Sequence, residues 1–200
     1  NARAKVKKIT LNIDGKEVTG EEGMTILEVA RGAGIDIPTL CYHEKLEPYG
    51  ACRLCLVEIG TPPRTRLVTS CVYPAADGLA VQTKSEKVIQ NRKMLLEILL
   101  ARAPGAKIIR DLAEEYGASK ARLKKKPTYC ILCGLCVRYC AEIKKADAIG
   151  FIGRGIEREV MFIPEISPES CPSCRECFPL CPTGVLESNF MLAQSLIFKQ

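Results

Sequence analysis

Two cysteine runs of the same form constrain this chain more than any other feature. Cys130-x2-Cys133-x2-Cys136-x3-Cys140 is followed by Cys171-x2-Cys174-x2-Cys177-x3-Cys181, and Pro182 closes the second. A thiolate at every third residue lets one tight loop bring three sulfurs to the same side of a small inorganic core. The fourth cysteine comes after a gap suited to the start of a helix.

This spacing is similar to that of bacterial two-cluster ferredoxins, in which the fourth cysteine of each run ligates the other cluster. The resemblance implies two interlocked 4Fe–4S sites. Cys130, Cys133, Cys136 and Cys181 would hold one, and Cys171, Cys174, Cys177 and Cys140 the other. Electron transfer is the expected role.

Twelve cysteines in 200 residues would suggest disulfides in a short secreted chain. Asn1 to Thr10 is instead basic and polar, without the apolar run that export requires. The longest apolar stretch, Met94 to Ala101, is interrupted by Glu97 and cannot cross a bilayer. A reducing cytoplasm with metal-bound thiolates is the expectation. The formal charge of +6 counts cysteines as neutral. Twelve bound thiolates add about −12, and one 2Fe–2S and two 4Fe–4S cores return about +2 each. A holoprotein near neutrality gives no reason to expect nucleic acid as a partner.

Lys5 to Ile13 alternates apolar and polar residues as a half-buried strand does. Asp14-Gly15 is a two-residue hairpin signal, with Lys16 to Thr19 as the return strand. Thr25 and Glu28 form a capping box ahead of a helix from Ile26 to Gly34. A second cysteine set follows, Cys41-x10-Cys52-x2-Cys55-x15-Cys71, with Gly50-Ala51 opening a bare loop in which amides approach inorganic sulfur. Leu56 to Ile59, Arg66 to Val72 and Leu79 to Gln82 read as strands. Hairpin, helix, cysteine loop and closing strands make a β-grasp pattern, the scaffold of plant-type 2Fe–2S clusters. The gap of ten departs from the plant-type spacing of four. His43, the only histidine, is read as a loop residue that donates a hydrogen bond.

Ser85 to Ala103 is strongly helical, with Val88, Leu95, Leu96, Leu99 and Leu100 on one face and Glu86, Lys87, Arg92 and Lys93 mostly elsewhere. A second helix, Lys107 to Tyr116, ends at Gly117. The basic run Lys120 to Lys126 reads as a solvated linker. A short hairpin is expected between the cysteine runs, from Ile149 to Ile163. The tail from Glu187 to Gln200 is apolar at rough helical spacing. It either packs on its own domain or docks a partner. The expected fold is α+β: a β-grasp 2Fe–2S domain (1–84), a helical bridge and linker (85–127), a double 4Fe–4S domain (128–186) and a tail (187–200).

A structural zinc scaffold without redox function is the main rival, since four cysteines suffice for one zinc ion. Three ligands in one loop, twice over, fit it poorly. Ile131, Leu132, Leu135 and Val137 surround the first run, and Pro172, Phe178, Pro179 and Leu180 the second, as water-excluding packing requires. Arg138 and Arg175 are each either surface residues or charges that favour a reduced state. There is no G-x-G-x-x-G after a strand, no P-loop and too little histidine for a triad. Catalysis is therefore expected to lie in partners.

The order of parts, with "PTLCYHEKLEPYGACRLCLVEI" at the first cysteine set, resembles the N-terminal region of the large iron–sulfur subunit of respiratory complex I. It is also similar to the N-terminal parts of iron-only hydrogenases and NAD-linked formate dehydrogenases, and to the small diaphorase subunit of NAD-reducing hydrogenases. The resemblance implies that Cys41, Cys52, Cys55 and Cys71 hold one 2Fe–2S cluster beside two 4Fe–4S clusters. It implies an electron-transfer subunit of a cytoplasmic, anaerobic hetero-oligomer. One expected neighbour is a flavin/NAD(H)-binding subunit, the other a catalytic subunit such as a hydrogenase, formate dehydrogenase or other reductase. A free-standing ferredoxin shuttle is the third possibility. One departure stands out. Relatives place a His and three Cys for a further 4Fe–4S cluster after the β-grasp domain, whereas this sequence has "LLEILLARAPGAKIIRDLAEEYG" there and no Cys or His between Cys71 and Cys130.

Overall fold

The computed structural model describes residues 7–119 and 128–196. The basic run Lys120 to Lys126 and the end of the tail, Ile197 to Gln200, lie outside the described residues. The chain divides into two compact units. One comprises Asn1–Leu40 and Pro48–Leu95, the other Cys41–Glu47 and Leu96–Gln200.

The first unit is built on a five-stranded sheet of order β2-β1-β5-β3-β4. β1 (Lys8–Ile13) and β2 (Lys16–Glu21) pair antiparallel through the Asp14-Gly15 turn. Asp14 and Gly15 there have φ of 52° and 82°, the left-handed values a two-residue hairpin turn demands. Ile9, Leu11 and Ile13 point inward, as the alternation required. α1 (Ile26–Gly32) starts at the capping box: the Glu28 amide donates to Thr25 Oγ1, and the Thr25 amide to Glu28 at 2.7 Å. It buries Ile26, Leu27, Val29 and Ala30. β3 (Leu56–Thr61) and β4 (Arg64–Thr69) form a hairpin, and β5 (Ala80–Gln82) lies parallel to β1 and antiparallel to β3.

α2 (Glu86–Arg102) follows. Within the first unit, Val88 is fully buried and Lys87 pairs with Glu58 of β3 at 2.8 Å. Arg92 departs from the outward orientation read from the sequence: it is only 1 % exposed. The reason is its register. Val88, Arg92, Leu96 and Leu99 stand at i, i+4, i+8 and i+11, a single helical stripe.

In the second unit, α3 (Lys107–Glu115) buries Ile109 and Ala113. α4 (Leu135–Arg138) runs into a π-helical turn, Tyr139–Ile143. β6 (Ile149–Ile152) pairs antiparallel with β7 (Glu159–Phe162), giving the expected hairpin. α5 (Ser167–Cys174) and α6 (Val185–Leu196) complete the unit. Its core joins Ala148, Ile149, Phe162, Leu186, Phe190 and Ala193 to Cys136, Cys140, Cys171 and Cys177. The tail read as ambiguous thus packs its Phe190 and Ala193 side on its own unit. Met191, Leu192 and Leu196 remain exposed.

Candidate metal centres

All twelve cysteines are free thiols, and eight are buried. In the second unit, Cys140, Cys171, Cys174 and Cys177 line one cavity of about 180 Å³, together with Tyr139, Ala148 and Phe178. The fourth cysteine of the first run therefore faces the first three of the second. The π turn directs it there, and the Ala148 amide donates to its sulfur at 3.3 Å. Ser167 Oγ holds the Ala148 carbonyl at 2.5 Å. Burial, reinforced by the charges of Cys140 and Cys171, pushes the Cys177 thiol up to about 12; burial also raises Cys171.

Cys130, Cys133 and Cys136 are coupled to one another and to Cys181 through their charges. Burial pushes Cys133 up to about 12 and raises Cys136 and Cys130, and the Cys181 charge acts on all three. Backbone amides of Leu132 and Leu135 favour the charged sulfurs of Cys130 and Cys133. Left-handed backbone at Leu132 (φ 54°) and Gly134 (φ 77°) turns those amides inward. Arg175 (φ 50°) holds the position in the second run that Gly134 holds in the first. The local frames nevertheless differ: Cys171 and Cys174 lie on α5, whereas Cys130 and Cys133 lie in an irregular loop.

The donor sets fit iron–sulfur clusters. Thiols buried in mutually repelling groups stay protonated at neutral pH until metal displaces the protons, which couples loading to metal. Among the described residues, no three His, Cys, Asp or Glu side chains gather as ligands of a single ion do.

In the first unit, Cys55 and Cys71 are 1 % exposed. The Leu40 amide donates to Cys52 Sγ at 3.4 Å. Ser70, beside Cys71, donates from its amide and its hydroxyl to the Cys55 carbonyl, at 3.1 and 2.8 Å. β4 therefore ends at Thr69, earlier than the Val72 expected, and Cys71 sits in the turn beyond it. Gly50 (φ 67°) and Arg53 (φ 60°) shape the Cys52 loop. Cys41 is buried in the Cys41–Glu47 strap of the second unit, where its charge acts on Cys133. His43 Nδ1 accepts from the Lys45 amide at 3.2 Å, and its ring meets Tyr139 edge-on. It is a loop residue as expected, but as an acceptor.

Arginines at the cysteine loops were largely missed from the sequence. Arg92 donates to the Leu54 and Leu56 carbonyls at 2.9 and 2.7 Å. Arg102 donates to the Cys130 carbonyl, Arg138 to that of Cys41 at 2.8 Å, and Arg175 to that of Pro172 at 3.2 Å. A carbonyl held by a guanidinium is fixed in orientation, and with it the loop backbone beside the cysteine.

Fold and sites define an iron–sulfur protein with one 2Fe–2S domain and a 4Fe–4S dicluster domain. The model of the 2Fe–2S iron–sulfur cluster binding domain matches residues 6–86, and that of the 4Fe–4S dicluster domain residues 129–185. A solved NAD+-reducing [NiFe]-hydrogenase contains a chain 30 % identical to this one with a TM-score of 0.76, matched over 88 % of this chain and 85 % of that one. NADPH-Fe(3+) oxidoreductase subunit alpha of Geobacter sulfurreducens is 36 % identical over 90 % of this chain and 24 % of its own length. The NADH-ubiquinone oxidoreductase 78 kDa subunit of Neurospora crassa is 32 % identical over 91 % of this chain and 28 % of its own. This chain belongs to the family of iron–sulfur subunits shared by complex I and NAD-reducing hydrogenases. It spans about a quarter of the length of the curated relatives it matches. Among the described residues, no helix is long and apolar enough to cross a membrane.

Proposed function

We propose that this chain relays electrons between a flavin/NAD(P)(H)-binding subunit and a catalytic oxidoreductase subunit, in a reducing compartment such as the cytoplasm. Cys41, Cys52, Cys55 and Cys71 hold 2Fe–2S. Cys130, Cys133, Cys136 and Cys181 hold one 4Fe–4S cluster, and Cys171, Cys174, Cys177 and Cys140 the other. The observation that carries this reading is the cavity lined by Cys140 with the first three cysteines of the following run.

Bound there, iron–sulfur clusters supply one-electron uptake and release. The chain's own contribution is to hold them. Buried thiols ligate, amides of Leu132, Leu135 and Ala148 aim at the sulfurs, and Phe178 and Ile149 limit water at the second cavity. The two neighbours follow from what the relatives are called: a hydrogenase that reduces NAD+, and oxidoreductases of NADH and NADPH.

Anaerobic purification with metal analysis and EPR tests the reading. Iron and sulfide in similar amounts, with paramagnetic signals after dithionite, are expected. Zinc without iron sinks it. Recovery as a monomer that reduces unrelated acceptors equally well would favour a free shuttle over a subunit.

A further inference from the structure

Arg92 is the largest fully buried side chain in the described residues, at 1 % exposure. It lies on α2, beyond residue 86, where the match to the 2Fe–2S domain ends. Its Nε donates to the Leu54 carbonyl at 2.9 Å and its Nη2 to the Leu56 carbonyl at 2.7 Å. Those two carbonyls flank Cys55. The carbonyl between them, that of Cys55 itself, is taken by Ser70. Three consecutive peptide oxygens, those of Leu54, Cys55 and Leu56, are thus pinned by donors, which fixes the backbone that carries the Cys55 side chain.

A guanidinium stays charged at any pH a protein survives. Burying one is costly, and the Leu54 and Leu56 carbonyls offset part of that cost. A 2Fe–2S core with four thiolates carries about −2 when oxidised and about −3 when reduced. A fixed positive charge nearby therefore stabilises the reduced state more than the oxidised one, and low dielectric strengthens the difference.

We propose that Arg92 is a positioning residue of the 2Fe–2S site: its fork sets the Leu54–Leu56 backbone that presents Cys55, and its buried charge raises the reduction potential. This rests on the assignment of Cys41, Cys52, Cys55 and Cys71 as ligands. A single electron enters the site on reduction, from dithionite in the test, and no bond is made or broken.

The test is a mediated dithionite titration of the full chain, wild type and two variants. It is followed by EPR at a temperature where 4Fe–4S signals have broadened away. Arg92→Gln is expected to shift the 2Fe–2S midpoint to more negative potential. Arg92→Lys keeps the charge and loses the fork; its midpoint is expected to stay near wild type while its line shape changes. A purely structural role would lower the unfolding temperature of Arg92→Gln and leave its midpoint alone, which overturns the proposal. So does an Arg92→Lys midpoint that falls as far as that of Arg92→Gln. If Arg92→Gln does not retain the cluster, Arg92→Lys decides: a midpoint well below wild type, or an unchanged line shape, overturns the proposal, and a wild-type midpoint with an altered line shape supports it. A wild-type chain without any 2Fe–2S signal overturns the ligand assignment, and the proposal with it.

Discussion

Arg138 donates from Nη2 to the carbonyl oxygen of Cys41 at 2.8 Å, across 97 residues of sequence. Its Nη1 reaches the Glu47 carbonyl at 2.5 Å, and the Glu47 amide donates to Glu142 at 3.1 Å. Both ends of the Cys41–Glu47 strap are therefore tied to α4 and the π turn. Arg138→Ala is expected to lower stability by about 1–2 kcal/mol, the scale of a charge-assisted hydrogen bond that is partly solvated. It should also speed the loss of 2Fe–2S iron to a chelator, since Cys41 loses its tether. Anaerobic thermal unfolding and chelation kinetics check this; a chelation rate equal to wild type contradicts it.

Cys140 belongs to one run by sequence and to the other's cavity by position. Cys140→Ser is expected to reduce iron from about ten to about six atoms per chain, the loss of one 4Fe–4S cluster. Combining it with Cys171→Ser should cost no further iron, whereas combining it with Cys133→Ser should cost about four more. Iron analysis of the two double variants distinguishes crossed from uncrossed ligation. The reverse pattern would rule out the crossing.

Glu58, with its side chain 8 % exposed, accepts from Lys87 at 2.8 Å. Hydrogen bonds from Lys87, Ser85 and Thr65 lower its carboxyl from 4.5 to about 2. A lowered folded-state pKa adds stability above the ordinary value, which is lost as pH falls through the folded one. Glu58→Gln should therefore be less stable than wild type at about pH 7. The gap should begin to close below 4.5 and vanish near 2. Unfolding of both chains across that range gives the answer, and a constant gap would remove Glu58 as its source.

The sequence carried the hairpin at Asp14-Gly15, the capping box at Thr25 and Glu28, and the cysteine spacings in plain form, because each is a local requirement that admits few residue types. Arg92 was misjudged for the opposite reason. Its place in the stripe of Val88, Leu96 and Leu99 was visible, but a charged residue in an apolar stripe is ordinarily turned to solvent. The Leu54 and Leu56 carbonyls that receive it lie far away in sequence. The two cysteine runs taught a similar lesson. Spacing by three suits both a helical turn and a tight loop, and Cys171–Cys174 took the first while Cys130–Cys133 took the second. Pro168 at the start of α5 was the available signal, because proline favours the first turn of a helix. The π turn at Tyr139 had none, since one extra residue in a helix leaves no mark in composition.

Phe190 is 1 % exposed and packs edge-on to Phe162, with Phe178 and the Arg175 guanidinium against it. Phe190→Ala is expected to cost about 3–5 kcal/mol, the usual penalty for emptying an aromatic core position. Phe178 also lines the second cavity, so the variant should lose one 4Fe–4S cluster to oxygen faster than the other. Absorbance decay in air, resolved by EPR of what remains, measures it. Equal decay of both clusters would speak against the link.

The π turn that carries Cys140 follows directly on α4, which carries Cys136. In the crossed ligation proposed above, Cys136 and Cys140 would serve different centres from positions one helical turn apart, a rise of about 6 Å or less. Two centres ligated in that way would be joined through a single turn of backbone, so a residue inserted into or removed from that turn would change their separation more than any surface substitution.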